Sequence, residues 1–130
     1  MFGLFLENGP LRVIQVGGET EFEIMAAENS WADTYHIIFL DQPVQTGFSY
    51  GDSFLTDMKQ GSQEFLNFLD RFFDQFPELK SNDFYLTGES YAGKYLPLFT
   101  HDILERNDVS DNGINLMATL IIDPYPSPEI

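Results

Sequence analysis

The serine at position 90 stands where a nucleophile could act. An apolar, β-branched run over residues 84–87 ends three residues before it, and an amphipathic segment begins at Tyr91. Strand, sharp turn bearing a serine, and helix form the layout of a nucleophile elbow, in which helix-start N–H groups face the charge that develops during acyl transfer. The tight turn needs small residues nearby: Gly88, Ala92 and Gly93. A serine here is also a common helix N-cap, so spacing alone leaves both interpretations open.

A second serine fits the literal Gly-x-Ser-x-Gly pattern better. Ser49 lies between two glycines within residues 47–51. However, Pro43 separates it from the preceding apolar run at 35–40, and no helical pattern follows it. An elbow requires a strand directly before the serine and a helix directly after it. This context favours Ser90 over Ser49.

The composition indicates an acidic protein with a substantial core. The 130 residues are 43% hydrophobic and include 13 Phe and 6 Tyr, enough for one folded domain. Six basic residues against 21 acidic ones give a net charge of −15, which makes nucleic acid and anionic membrane surfaces poor partners. The absence of cysteine excludes disulfides and thiolate metal sites. No apolar run approaches the roughly 20 residues that span a bilayer, and residues 1–6 lack the basic flank of a signal peptide.

Hydrophobic patterning predicts an α/β fold with a mostly parallel sheet, an N-terminal β-hairpin and flanking helices. The hairpin pairs residues 11–16 with 22–25 through a two-residue Gly17-Gly18 turn. Apolar runs predict buried parallel strands, and helical periodicity predicts two helices: strands at 35–40, 84–87 and 116–122, helices at 56–76 and 91–106. Strands alternating with helices imply right-handed crossovers in one sheet.

Two long motifs resemble signatures of the serine carboxypeptidase family. Residues 88–95, Gly-Glu-Ser-Tyr-Ala-Gly-Lys-Tyr, resemble its nucleophile signature. Residues 41–50, Asp-Gln-Pro-Val-Gln-Thr-Gly-Phe-Ser-Tyr, resemble a second signature of the same family. Residues 72–78 and 29–31 agree in order and spacing, so the resemblance extends over residues 3–122. Motifs of this length are far more specific than a lone Gly-x-Ser-x-Gly.

The resemblance implies a single incomplete α/β-hydrolase domain over residues 1–130 that hydrolyses C-terminal peptide bonds through an acyl-enzyme. Ser90 matches the acylated serine, and the N–H of Tyr91 matches one oxyanion donor. Glu89 and Glu7 match two acids that bind the substrate's C-terminal carboxylate. Two close carboxyl groups share a proton, because ionising both is costly, so such a pair binds a carboxylate best in acid. Peptide or protein C-termini are the implied substrates, and no metal or cofactor is implied.

Other parts of the family's machinery are expected outside these 130 residues: a glycine-rich second oxyanion donor upstream, and the catalytic aspartate and histidine downstream. His101 lies 11 residues along the predicted helix from Ser90, and His36 begins a predicted strand, so neither is expected to reach its hydroxyl. Asp123 is favoured as a turn residue over a triad acid. The chain alone is therefore expected to be nearly inactive.

Two alternatives remain open at this point. The chain could belong to a carboxypeptidase-like acyltransferase or esterase, or it could be a truncated, non-catalytic peptide-binding module. Glu7 and Glu89 argue mildly against the first, because only a substrate with a free carboxylate needs them. The family resemblance implies a vacuolar, lysosomal or secreted location.

Overall fold

The computed structural model describes residues 2–52, 54–110 and 113–127. The chain divides into two compact units, Met1–Phe54 and Leu55–Ile130, which are described separately below. The first unit contains, in order, α1 (Phe2–Leu6), β1 (Leu11–Gln15), β2 (Phe22–Ala26) and a 3-10 turn at Trp31–Asp33. The second contains α2 (Met58–Gln75), a 3-10 turn at Pro77–Leu79, β3 (Phe84–Glu89), α3 (Ala92–Val109) and β4 (Leu116–Ile122).

The predicted hairpin of the first unit is confirmed. β1 and β2 pair antiparallel, in a register from Leu11 opposite Ala26 to Gln15 opposite Phe22. This register leaves residues 16–21 as the connection, so the predicted two-residue Gly17-Gly18 turn is wrong. Instead, the Val16 N–H donates to the carbonyl of Glu21 at 3.1 Å and closes a longer loop.

The predicted buried strand at residues 35–40 is wrong. In the described part of the chain these residues pair with no strand, and Tyr35 and Ile38 are 64% and 41% exposed. The Tyr35 N–H donates to the carbonyl of Trp31 at 3.0 Å instead. An apolar run indicates that a segment can be buried. A strand forms only where a neighbouring strand supplies the hydrogen bonds of the ladder.

The phenylalanine-rich helix of the second unit is confirmed, with ends one or two residues inside the predicted bounds. Asp57 is the N-cap of α2, since its side chain accepts a hydrogen bond from the Gln60 N–H at 2.8 Å. The helix ends directly before Phe76 and Pro77. Its apolar stripe packs on α3 and β3 in one core, whose buried members are Leu66, Leu69, Phe73, Leu86, Ala92, Leu96, Phe99, Ile103 and Ile114.

Two polar pairs also join α2 to α3. Arg106 of α3 forms an ion pair with Asp70 of α2. Ser62, fully buried on α2, donates its hydroxyl hydrogen to Asp102 of α3. α3 continues through Pro97 and reaches Val109, three residues beyond its predicted end. The two helices are therefore held in register by polar contacts as well as by apolar packing.

β3 and β4 form a two-stranded parallel sheet, in a register from Phe84 opposite Leu116 to Glu89 opposite Ile122. The predicted bounds and parallel direction of β4 are confirmed, but its predicted burial on both faces is wrong. Met117, Leu120 and Ile122 are each about half exposed, because the helices cover only one face of this small sheet. The expected three-stranded parallel sheet is accordingly reduced to two strands among the described residues.

None of the helices in the described part of the chain has the length and apolar character that a bilayer-spanning helix needs.

Candidate active site

Ser90 occupies the turn between β3 and α3 in a left-handed backbone conformation, with φ of 55°. A non-glycine residue there costs about 1–2 kcal/mol, and such strain is typical of functional turns such as the nucleophile elbow. The helix N-cap is Tyr91, which makes no side-chain capping bond. The alternative that Ser90 is the N-cap is therefore wrong, and the predicted strand–serine–helix layout is confirmed.

The backbone of Ser90 is hydrogen-bonded on both sides. Its N–H donates to the carbonyl of Ile122 at 3.0 Å, which extends the β3–β4 ladder by one residue. Its carbonyl accepts hydrogen bonds from the N–H of Gly93 at 3.0 Å and from the N–H of Tyr125 at 2.8 Å. Each such bond contributes about 0.5–1.5 kcal/mol, so together they offset the cost of the left-handed conformation. The Ser90 side chain itself is exposed.

Two glycines flank this turn because there is no room for side chains. A Cβ at Gly88 would lie 2.4 Å from the Cβ of Ala92 and 2.9 Å from Cδ1 of Leu96. A Cβ at Gly93 would lie 2.8 Å from both the Cβ of Pro124 and the backbone nitrogen of Tyr125. The small residues noted in the sequence thus let β3, α3 and the segment after β4 approach one another around Ser90.

The backbone N–H of Tyr91, the predicted oxyanion donor, lies next to Ser90 at the start of α3. Among the described residues it donates to no acceptor. The Tyr91 ring is 56% exposed and stacks on the ring of Tyr125, with centroids 6.5 Å apart. An unused N–H beside the serine, at the positive end of a helix dipole, can stabilise an oxyanion.

The two predicted carboxylate-binding acids lie in different units, so their pairing stays a prediction. Glu89 is the last residue of β3, directly before Ser90, and is exposed.

Glu7 follows α1 in the first unit and is also exposed. Its carbonyl accepts a hydrogen bond from Arg12. The next carbonyl, of Asn8, accepts hydrogen bonds from the Ser30 hydroxyl at 3.0 Å and the Trp31 N–H at 3.1 Å. The backbone carbonyls of Glu7 and Asn8 are thus both held by hydrogen bonds within the first unit.

His101 lies well inside α3, whereas Asp123 follows β4 directly, in the segment whose backbone contacts Ser90. His101 contacts Asp102 through Nδ1 at 3.1 Å and Glu105 through Nε2 at 3.6 Å, nine residues after α3 begins. The hydrogen bond to Asp102 and the charge of Glu105 raise the pKa of His101. Burial raises the pKa of Asp102, but hydrogen bonds from Ser62 and His101 outweigh it, so the pKa lies below its ordinary value. Ligand atoms of His101, Asp102 and Glu105 lie within 4.8 Å of one another.

Ser49 differs from Ser90 in its surroundings. Its hydroxyl donates to the carbonyl of Asp41 at 2.6 Å, and it is half-buried in a run of turns. No strand precedes it directly and no helix follows it directly. The sequence-based preference for Ser90 over Ser49 agrees with this geometry.

The family model described as serine carboxypeptidase matches residues 1–130. The chain belongs to the serine carboxypeptidase family. It is 41% identical over its full length to the pheromone-processing carboxypeptidase KEX1 of Ogataea parapolymorpha, and it spans 20% of that protein. It is 39% identical, over 99% of its length, to the human probable serine carboxypeptidase CPVL, of which it spans 27%.

A solved structure of a serine carboxypeptidase agrees with these matches. The crystal structure of Kex1Δp, a prohormone-processing carboxypeptidase from Saccharomyces cerevisiae, matches with a TM-score of 0.86 and 33% identity. The match covers 96% of the present chain and 28% of that structure. The chain thus spans about a fifth to a quarter of the length of its serine carboxypeptidase relatives.

Sequence reasoning did not identify the backbone groups of Ile122 and Tyr125 as parts of the elbow. Both lie more than 30 residues from Ser90 in the chain and act through main-chain atoms, which leave no side-chain signature. The only available signal was that β4 ends at Ile122, since parallel strands bring their carboxyl ends to the same edge of a sheet.

Proposed function

We propose that this chain is the nucleophile-bearing part of a serine-type carboxypeptidase, and that its residues belong to one α/β-hydrolase domain. The left-handed Ser90 in the β3–α3 turn carries the proposal, because that conformation presents a hydroxyl beside helix-start N–H groups. Family membership supports the same reaction. The proposed substrates are peptides or proteins with a free C-terminus.

In the proposed reaction the Ser90 hydroxyl attacks the carbonyl carbon of the last peptide bond. A histidine elsewhere in the natural protein takes the hydroxyl proton and passes it to the leaving amine, and water then hydrolyses the ester on Ser90. The Tyr91 N–H stabilises the oxyanion. Glu89 and Glu7 are the residues proposed to bind the substrate's terminal carboxylate and so to select free C-termini.

Serine carboxypeptidase membership also supports a place for the protein in the secretory or vacuolar route, including vacuole, lysosome or secretion. The two alternatives, an acyltransferase or esterase and a non-catalytic peptide-binding module, differ from the main proposal in measurable ways. An acyltransferase or esterase would act without a free C-terminal carboxylate. A binding module would bind peptides without forming a covalent adduct on Ser90.

The main test compares Ser90→Ala with Ser49→Ala in the natural full-length protein. Fluorophosphonate labelling and hydrolysis of a peptide with a free C-terminus should both persist in Ser49→Ala. Ser90→Ala should lose labelling, and its kcat should fall by on the order of a million-fold. Equal loss in both variants, or labelling that persists in Ser90→Ala, would refute the proposed nucleophile.

A second comparison tests the acids. The wild-type protein should cleave a free C-terminal peptide in preference to the same peptide with an amidated C-terminus. Glu89→Gln should lose much of that preference, whereas Glu64→Gln, at an exposed position on α2, should keep it. Preferred cleavage of the amidated peptide by the wild-type protein would favour the esterase or acyltransferase alternative.

A further inference from the structure

We infer that residues 122–125, named here the post-β4 loop, are positioning residues that hold Ser90 and the Tyr91 N–H in their reactive orientation. This inference rests on the proposed role of Ser90 as nucleophile. The loop begins at Ile122, the last residue of β4, and its backbone contacts both main-chain polar groups of Ser90. It contributes no side chain to the reaction.

The two hydrogen bonds fix the two peptide planes that meet at Ser90. The Ser90 N–H, in the plane before its Cα, donates to Ile122 at 3.0 Å, and the Ser90 carbonyl, in the plane after it, accepts from Tyr125 at 2.8 Å. With both planes held, φ and ψ of Ser90 are set, and so is the direction of its Cα–Cβ bond. The loop therefore sets the direction in which the Ser90 side chain leaves the backbone.

The Tyr125 bond also acts on the proposed oxyanion donor. The carbonyl of Ser90 and the N–H of Tyr91 belong to one planar peptide group and point in opposite directions. A donor that fixes the carbonyl therefore fixes the Tyr91 N–H. It also polarises that N–H, because hydrogen bonds in a chain strengthen one another. The Tyr125 N–H thus supports transition-state stabilisation without touching the substrate.

The packing of α3 explains how the loop comes so close. Asp123 has a φ of 41°, which turns the chain back toward Ser90 directly after β4. Pro124 and Tyr125 then occupy the space that a side chain at position 93 would need, at 2.8 Å from the missing Cβ. Gly93 therefore makes room for the loop, and a methyl group there would push the loop away from Ser90.

The decisive experiment removes the Tyr125 N–H alone. In the natural full-length protein, Tyr125 is replaced by its α-hydroxy acid analogue, which substitutes an ester oxygen for the N–H and keeps the phenol ring. We expect kcat and the fluorophosphonate labelling rate to fall about five- to tenfold, with KM changed less than twofold. Tyr125→Phe, which keeps the N–H and loses only the phenol hydroxyl, should lower kcat less than the ester variant does. An unchanged kcat in the ester variant, or an equal fall in Tyr125→Phe, overturns the positioning role.

Two further variants complete the design. Gly93→Ala should lower kcat at least tenfold, whereas Gly61→Ala on α2, whose added Cβ makes an ordinary 3.5 Å contact with Leu55, should not. Equal kcat in both overturns the inference.

Ser90→Ala, measured in parallel, separates the proposed nucleophile from the proposed positioning role of the loop. Activity that persists in Ser90→Ala overturns the nucleophile and with it this inference, while its loss together with an unaffected ester variant overturns the positioning role alone.

Discussion

Moving one methyl group from α3 to β3 tests the close approach of these two elements. Gly88→Ala places a Cβ 2.4 Å from the Cβ of Ala92, far inside van der Waals contact. Ala92→Gly removes the nearest atom that it would meet and leaves only the end of the flexible Leu96 side chain, at 2.9 Å. The double variant Gly88→Ala/Ala92→Gly therefore carries the same number of methyl groups as the wild type, transferred across the contact.

The expected magnitudes follow from the geometry. The φ of Gly88 lies outside the left-handed region, so alanine alone would stabilise by about 0.4–1 kcal/mol through the unfolded chain. Overpacking in a close-packed core costs about 1–3 kcal/mol and outweighs that gain. Ala92→Gly loses a buried methyl worth about 0.8 kcal/mol, together with helix propensity of up to about 1 kcal/mol. The double variant should be less destabilised than the sum of the two single variants by about 1–2 kcal/mol.

The assay is the free energy of unfolding from denaturant titration of the natural full-length protein and its three variants. Gly61→Ala is the matched control and should be neutral or slightly stabilising, because its Cβ meets only Cδ1 of Leu55 at 3.5 Å. Strict additivity of the two single changes, within about 0.3 kcal/mol, would show that residues 88 and 92 do not compete for space. The account of the elbow glycines would then be wrong.

Three other predictions concern the second unit. Asp57→Ala removes the N-cap of α2 and should cost about 1 kcal/mol in denaturant titration, while Asp57→Asn should cost much less. Ile103→Ala, at a fully buried position of α3, should cost about 2–5 kcal/mol, and a smaller loss would contradict its place in the core. The folded-state pKa of His101 is raised above 6.5, so its stabilising contribution is present below that pH and is lost as pH rises through the folded pKa. Proton NMR should find the raised pKa, and Asp102→Asn should lower it.

Local signals determined most of what could be predicted from the sequence. The phenylalanine spacing of α2, the alternation in β1, and the strand–Ser90–helix order depend on neighbours within a few residues, and the structure contains all three. Those features follow from periodicity and turn chemistry, which are local properties of the chain. The long motif around Ser90 then reduced the number of reactions that fit the sequence, because few sequences share eight consecutive residue types with a known signature.

The failures concern contacts between distant residues. The segment 35–40 has the composition of a strand but lacks a pairing neighbour among the described residues. The apolar run of β4 predicts burial on both faces. Its burial depends on which elements cover the sheet, and only one face is covered. The main-chain hydrogen bonds of Ser90 with Ile122 and Tyr125 could not be predicted from the sequence either. Periodicity describes how a segment can be buried and leaves open what buries it.

Ser90 combines a solvent-accessible hydroxyl with a main-chain amide held in the extended β3–β4 ladder. Chemical reagents therefore report on the hydroxyl of this residue, whereas hydrogen–deuterium exchange reports on its main-chain amide. Reagents reach the oxygen in the native state, whereas exchange of the amide proton requires the ladder end to open. Native-state access of reagents to the side chain together with slow amide exchange is consequently the expected signature of a rigid residue at the surface, and reactivity at this serine does not measure its mobility.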